Sequence, residues 1–189
     1  MEGEYYKTKA SVEEYIRMAE GFDGGKLIEQ LKAFLPEGSR LLEIGSGPGT
    51  DWNILKEVYD VIGSDNSVEF LKHLQKENPE GEFLELDAIT LATEKTFNGV
   101  YANKVLHHLN DEELKQSVER QAAILSSNGV VCFSFWKGED SEVFNGLFVN
   151  YQNEETLKEA FGKYFDILLL KSYQEFDPDD SLLLIAKKR

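Results

Sequence analysis

The sequence predicts an α/β domain, a mostly parallel sheet with helices on both faces that ends in an antiparallel hairpin. Three observations carry this reading. Short apolar runs at 40–44, 60–64, 82–86, 99–105 and 129–135 each end in Gly or a polar residue. Amphipathic stretches of helical length near 51–58, 67–77 and 111–126 lie between most of them, and such alternation calls for right-handed crossovers and parallel pairing. Finally, Phe165–Tyr173 and Ser181–Lys187 are both strand-like, with only Gln174 to Asp180 between them and Pro178 marking a turn. A connection that short cannot make a parallel crossover, so these two strands must pair antiparallel.

The elements follow in order. Ser11 with Glu14 has capping-box spacing and opens a first helix expected to end at Gly21. A second helix, roughly 24–35, places Leu27, Ile28, Leu31 and Leu35 on one stripe and stops before Pro36. These form an N-terminal helical cap, 1–38, ahead of an α/β core, 39–189. With 189 residues and no repeat or Pro/Gly/Ser linker, the chain is read as one domain. Asn110 and Glu113 supply a second capping box, for the helix at 111–126, and a helix is expected at 154–162. Residues 137–151 fall outside the alternation. Trp136, Phe144, Phe148 and Tyr151 mix there with Gly138, Asp140, Ser141 and Gly146, which suits a lid better than a helix face.

Composition excludes several classes of partner. The net charge is −15, the wrong sign for nucleic acid or an anionic membrane. The chain is 41% hydrophobic and 12% aromatic, as in a globular protein rather than an acidic tail. Its single cysteine, Cys132, cannot form an internal disulfide and argues against a cysteine metal site. No run approaches the roughly 18 apolar residues of a membrane span. Met1, Glu2 and Glu4 do not resemble a signal peptide, so a cytoplasmic monomer or homodimer without metal is expected.

The chemistry is concentrated in Leu41 to Asp51, where a buried strand runs into Gly45, Gly47 and Gly49 and a helix follows. Glycines here let a ligand approach the backbone at the carboxyl edge of a sheet. A P-loop needs Gly-Lys-Ser/Thr, and this sequence has Thr50 and Asp51 with no lysine. A dinucleotide fingerprint needs a small residue where Thr50 stands. The remaining class is S-adenosylmethionine (SAM), which is cationic and carries no phosphate. Glu43 suits that charge and would repel a pyrophosphate.

On these residues the sequence resembles the class I SAM-dependent methyltransferases from about Leu41 to Lys187. The resemblance implies a Rossmann-like, seven-stranded fold with a terminal hairpin, and SAM as methyl donor with S-adenosylhomocysteine (SAH) as product. Glu43, Gly45, Ser46, Gly47 and Gly49 match the family's first motif. Asp65, twenty residues after Gly45, with Asn66, matches the carboxylate segment that grips the ribose hydroxyls. Asp87 and Ala88 stand where the family contacts adenine. Asn103, in a segment that continues to His107, His108 and Leu109, resembles the family's fourth strand end, which the resemblance implies lies beside the methionine moiety. Leu125 to Gly129 departs from the family's Leu-Lys-Pro-Gly-Gly turn but keeps Gly129.

The expected reaction is in-line methyl transfer to a small-molecule acceptor. Tyr5, Tyr6, Tyr15, His108, Trp136 and Phe148 are candidate acceptor contacts, because they lie outside the shared sheet. His107 is preferred as general base because it comes first after the strand, with His73 away from the methyl. Cys132, mid-strand, reads as a buried hydrophobe. The competing readings are a SAM-binding regulator without turnover and a nicotinamide-dependent oxidoreductase; Glu43, Thr50 and the terminal hairpin oppose the latter.

Overall fold

The computed structural model describes Tyr6, residues 8–144 and residues 146–189. The strands are β1 (Arg40–Ile44), β2 (Asp60–Asp65), β3 (Glu82–Glu85), β4 (Phe97–Asn103), β5 (Leu125–Trp136), β6 (Ser141–Phe144), β7 (Leu147–Asn150), β8 (Phe165–Tyr173) and β9 (Ser181–Lys188). The helices are α1 (Lys9–Met18), α2 (Gly25–Leu31), α3 (Thr50–Leu55), α4 (Val68–Glu77), α5 (Asp111–Ile124) and α6 (Glu154–Phe161), with a 3₁₀ turn at Leu106–His108. Among the described residues, seven strands form one sheet in the order β3-β2-β1-β4-β5-β9-β8. Strands β1 to β5 pair in parallel, and β9 runs antiparallel between β5 and β8. Both the parallel sheet and the closing hairpin agree with the sequence reading.

This order sets the position of the site. From β1 the chain moves out through β2 and β3, then returns to place β4 on the other side of β1. Such a reversal opens a crevice at the carboxyl ends of the two central strands, where Ile44 meets Gly45 and where Asn103 ends β4.

Two apolar cores cover the faces of the sheet. Leu42, Ile44, Val100 and Phe133 pack with Leu114 and Val118 of α5 and Leu157 and Phe161 of α6. Leu41, Tyr101 and Cys132 point the other way, toward Leu27 and Leu31 of α2 and Trp52 and Leu55 of α3. Strand alternation puts Glu43 on that second face, level with Tyr101. A carboxylate is thereby carried into an apolar layer. Cys132 is fully buried, and burial pushes its thiol up, so it is packing material.

Local departures from the sequence reading have identifiable causes. Thr8, not Ser11, caps α1; the Thr8 hydroxyl accepts from the Ser11 N–H at 3.2 Å and Ser11 returns the bond as the third helical residue. Two overlapping Ser/Thr signatures compete there, and the earlier one prevails. The second helix is regular only over Gly25–Leu31 and then tightens, with Phe34 N–H bonding Leu31 C=O at 2.9 Å. Strand β5 starts four residues early, at Leu125, because a register shift against β4 and a left-handed Asn128 (φ 65°) absorb the Ser126–Gly129 segment. The 137–151 segment contains a two-stranded hairpin, β6–β7, with Val143 and Phe144 exposed at its tip.

Candidate active site

The loop after β1 is built around three left-handed glycines, with φ of 69° at Gly45, 48° at Gly47 and 84° at Gly49. Side chains at the outer two would collide: a Cβ at Gly45 meets Val105 at 2.6 Å, and one at Gly49 meets Leu74 at 2.6 Å. At Gly47 the nearest atom stands at 4.0 Å, in the Tyr15 ring, so this glycine borders space. Ser46 pins the loop to β2, its Oγ accepting from the Ser64 N–H at 3.1 Å.

Asp65 ends β2 facing this loop. Its Oδ2 accepts from the Gly47 N–H at 3.0 Å and its Oδ1 from the Ser67 N–H at 2.8 Å. Burial raises its carboxyl above the usual range, and the N–H groups of Ser67, Gly47 and Asn66 oppose that rise. Ser67, not Asp65, caps α4. Asp87 is exposed, and its Oδ1 accepts from the N–H groups of Ile89 at 3.0 Å and Thr90 at 2.9 Å. One of its oxygens therefore shapes the turn after β3 whatever else the residue does.

Glu43 is buried, and its Oε2 has no hydrogen-bond partner. Burial first, and then the neighbouring Asp51, push its carboxyl up to about 8, despite a bond from Ser46. Asp51 is a residue the sequence used only to exclude a P-loop. It is the hub of this corner, accepting from Gly24 N–H at 2.6 Å, Tyr101 Oη–H at 2.7 Å and Asn103 Nδ2–H at 3.0 Å. These bonds fasten the entry of α2 to α3 and β4.

Lys104 was also missed. It has a left-handed backbone (φ 55°), and its Nζ donates to Phe135 C=O at 3.0 Å and Ser181 Oγ at 2.6 Å, 3.4 Å above the Trp136 ring centre. Its signal in the sequence was a charge interrupting the apolar end of β4. Asp51 had no such signal, since an acid in the first turn of a helix is commonplace.

The two histidines separate. His107 is 4% exposed, its Nδ1 is buried without a partner, and burial together with His108 and Lys104 drives its pKa well down. It borders neither cavity described below. The preference for His107 as base is therefore corrected: the 3₁₀ turn rotates the first imidazole inward and the second toward the ligand space. His108 lines the larger cavity, with Nδ1 2.7 Å from the Phe148 carbonyl.

Two adjoining cavities occupy the crevice. The larger, about 500 Å³, is bordered by Asp65, Asn66, Asp87, Ala88, His108 and Phe148, among others. The smaller, about 320 Å³, includes Glu43, Asp51, Asn103, Trp136 and Phe176. Tyr15, Gly45, Gly47, Lys104 and Val105 border both. Tyr15 and Tyr6 form an aromatic cluster with Phe70, with ring centres 5.2 to 5.8 Å apart, and Ser67 Oγ–H donates to the Tyr6 carbonyl. The two cavities thus border every candidate contact except His107, Gly49, which packs against Leu74, and Tyr5, which lies outside the described residues. Among the described residues no group of three His, Cys, Asp or Glu side chains is arranged to hold a metal.

Residues 41–129 match the methyltransferase domain family. A trans-aconitate 2-methyltransferase from Variovorax paradoxus is 32% identical over 101 residues, 51% of this chain but only 38% of that enzyme. The fold is similar to Burkholderia thailandensis 1,6-didemethyltoxoflavin-N1-methyltransferase with bound 1,6-didemethyltoxoflavin and SAH (TM-score 0.78, 18% identity, 95% of this chain and 84% of that one). It is also similar to the N-methyltransferase NodS from Bradyrhizobium japonicum with SAH (TM-score 0.70, 15% identity, 95% and 97%). The family match covers β1 to the start of β5, the stretch that carries the glycine loop and both central strand ends, so just under half of the chain, and the half that forms the crevice, is similar to a methyltransferase domain.

Proposed function

We propose that the protein transfers the methyl group of SAM to a small-molecule acceptor. The observation that carries this is the buried, unpartnered Glu43 oxygen beside a glycine loop with space at Gly47. A buried acceptor without a donor is costly unless a ligand completes it. The acids Glu43, Asp51 and Asp65 around that loop favour a cation and oppose a phosphate.

In this reading Asp65 and Asn66 hold the ribose, and Asp87 and Ala88 edge the adenine. Glu43, Gly45, Ser46, Gly47, Gly49 and Asn103 cradle the amino-acid arm. When bound, SAM supplies a methyl group activated by its sulfonium. Transfer to an acceptor would require the chain to hold the acceptor atom close to and in line with that methyl while excluding water. A carbonyl oxygen can only accept, so His108 Nδ1 carries the hydrogen toward Phe148, and Nε2 is left as the base. It takes a proton where the acceptor has one to lose. The β6–β7 hairpin and the N-terminal segment act as covers, and Trp136, Phe148, Tyr6 and Tyr15 wall the acceptor.

The two adjoining cavities, about 500 and 320 Å³, together leave room for SAM and an acceptor of metabolite size. The similar proteins named for trans-aconitate and 1,6-didemethyltoxoflavin support that class of acceptor. The net charge of −15 speaks against nucleic acid, and among the described residues no helix is long and apolar enough to cross a membrane. We read the protein as a cytoplasmic monomer or homodimer. Calorimetry with SAM, SAH and NAD tests the ligand class, and labelled SAM with a metabolite library tests turnover. Absence of SAM and SAH binding at millimolar concentration overturns the reading; binding without transfer to any metabolite leaves a SAM-binding regulator.

A further inference from the structure

Lys104 has a chemistry that the methyl-transfer reading does not use. An ammonium has three N–H donors, and here two go to neutral oxygens, Phe135 C=O at 3.0 Å and Ser181 Oγ at 2.6 Å. No carboxylate among the described residues pairs with it. Asp180, on the turn between β8 and β9, is occupied elsewhere, accepting from the N–H groups of Glu175, Phe176 and Asp177 at 2.8 to 2.9 Å. Burial brings the Lys104 amine down to about 7, with Glu175 and Asp180 opposing the fall. A half-buried cation whose acidic neighbours, Glu175 and Asp180, stay outside ion-pair contact has room for a closer anion.

The setting is built around it. Lys104 borders both cavities, one residue beyond Asn103. Its left-handed backbone, disfavoured for a residue with a side chain, is held by a bond from its own N–H to Ser134 Oγ at 2.9 Å. That conformation carries the amine across β5, away from the acid corner of Glu43 and Asp51. Trp136 lies beneath the amine, and Phe176 stacks on Trp136 with ring centres 5.8 Å apart. Phe176 in turn meets Phe22 edge-on at 5.3 Å. Met18, Phe22 and Phe176 are 54%, 53% and 57% exposed at this mouth. The smaller cavity thus has Glu43 and Asp51 at the β1–α3 side, Lys104 with Glu175 at the β5–β9 side, and an apolar rim.

We propose that Lys104 is a carboxylate anchor, forming with Trp136, Phe176 and Phe22 a subsite for a ligand that joins a carboxylate to an apolar body. The proposal rests on the SAM reading above and adds a chemical class to it. The carboxylate has two possible sources, the amino-acid arm of the cofactor or the acceptor itself.

Calorimetry on the full chain separates them. The probes are SAH; 5′-methylthioadenosine, which lacks the amino-acid arm; and phenylacetate and phenylacetamide added to SAH-saturated protein. Lys104→Met should weaken SAH or phenylacetate at least tenfold while leaving 5′-methylthioadenosine and phenylacetamide within twofold, and Lys104→Arg should restore most of the loss. Loss on SAH alone assigns the anchor to the cofactor. Loss on phenylacetate alone assigns it to the acceptor. Lys104→Met binding SAH and phenylacetate as the unaltered protein does overturns the proposal, as does an equal loss on 5′-methylthioadenosine, which marks a structural role. An unaltered protein that binds neither SAH nor 5′-methylthioadenosine overturns the SAM reading, and the anchor with it.

Discussion

His108 Nδ1 lies 2.7 Å from the carbonyl oxygen of Phe148, forty residues away on strand β7. The contact joins the segment after β4 to the β6–β7 hairpin. It also fixes the neutral tautomer, because only the imidazole can donate. Burial lowers the pKa of His108, with the Phe148 bond opposing, so the ring is neutral at physiological pH. Hairpin position and the tautomer of His108 are thus coupled through one hydrogen bond.

The first prediction concerns which histidine matters. With a proton-bearing acceptor, His108→Ala should lower the single-turnover rate on the order of 10²–10⁴-fold with little change in SAH affinity. His107→Ala should act on stability, because its ring fills a buried site against His108 and Trp136. His73→Ala should do neither. Rates at several pH values, with thermal unfolding of each variant, separate the three; a His107 effect on rate alone would restore His107 as the base.

Asp65→Ala should weaken SAH by more than Asp87→Ala does. A carboxylate accepting from two ribose hydroxyls loses two charge-assisted bonds, roughly 1.5–3 kcal/mol each, against one at the adenine edge. Asp65 also holds the Gly47 N–H, so its loss loosens the loop itself. Equal losses in titration calorimetry would remove the distinction.

Glu43 should couple binding to a proton. Its carboxyl rises from 4.5 to about 8 on folding, so the folded chain keeps a proton that the unfolded chain releases in that window. Native stability therefore falls as pH rises between those values, and the free protein carries Glu43 neutral at pH 7. A cationic ligand favours the ionised form and should expel that proton. Calorimetry at pH 7 in buffers of different ionisation enthalpy should show proton release on SAM binding. In Glu43→Gln the release should vanish, and the free protein should be more stable at pH 7 with little difference near pH 4.

Asp51→Ala should destabilise the fold by on the order of 3 kcal/mol, because it leaves the Gly24 N–H, Tyr101 hydroxyl and Asn103 amide without their shared acceptor. Denaturant unfolding reads the loss. An unchanged midpoint would mean that water or a rearranged Asn103 takes over all three.

The covers should respond to ligand. Hydrogen exchange in 141–150 and around Tyr15 should slow when SAH binds, since these segments border the cavities with few buried apolar side chains of their own. Unchanged protection at saturation would count against a lid.

Much of this protein was legible along the chain, because its information is local. Alternating apolar runs and helical stretches predict the parallel sheet, and the seven-residue gap before Ser181 forces the antiparallel end. Gly45, Gly47, Gly49, Asp65 and Asp87 announce themselves because each sits where a strand stops, and the carboxyl end of a strand is where this topology places ligands. Asp51 as a hub, His108 rather than His107 at the cavity, and Lys104 over Trp136 were decided only by tertiary structure. Each depends on partners 27 to 77 residues away, such as Gly24, Phe148 and Ser181. One more residue along a 3₁₀ turn swings a side chain by about a third of a revolution. Sequence order alone could not say which imidazole would face the ligand, or that a lysine at a strand end would fold back over an aromatic ring.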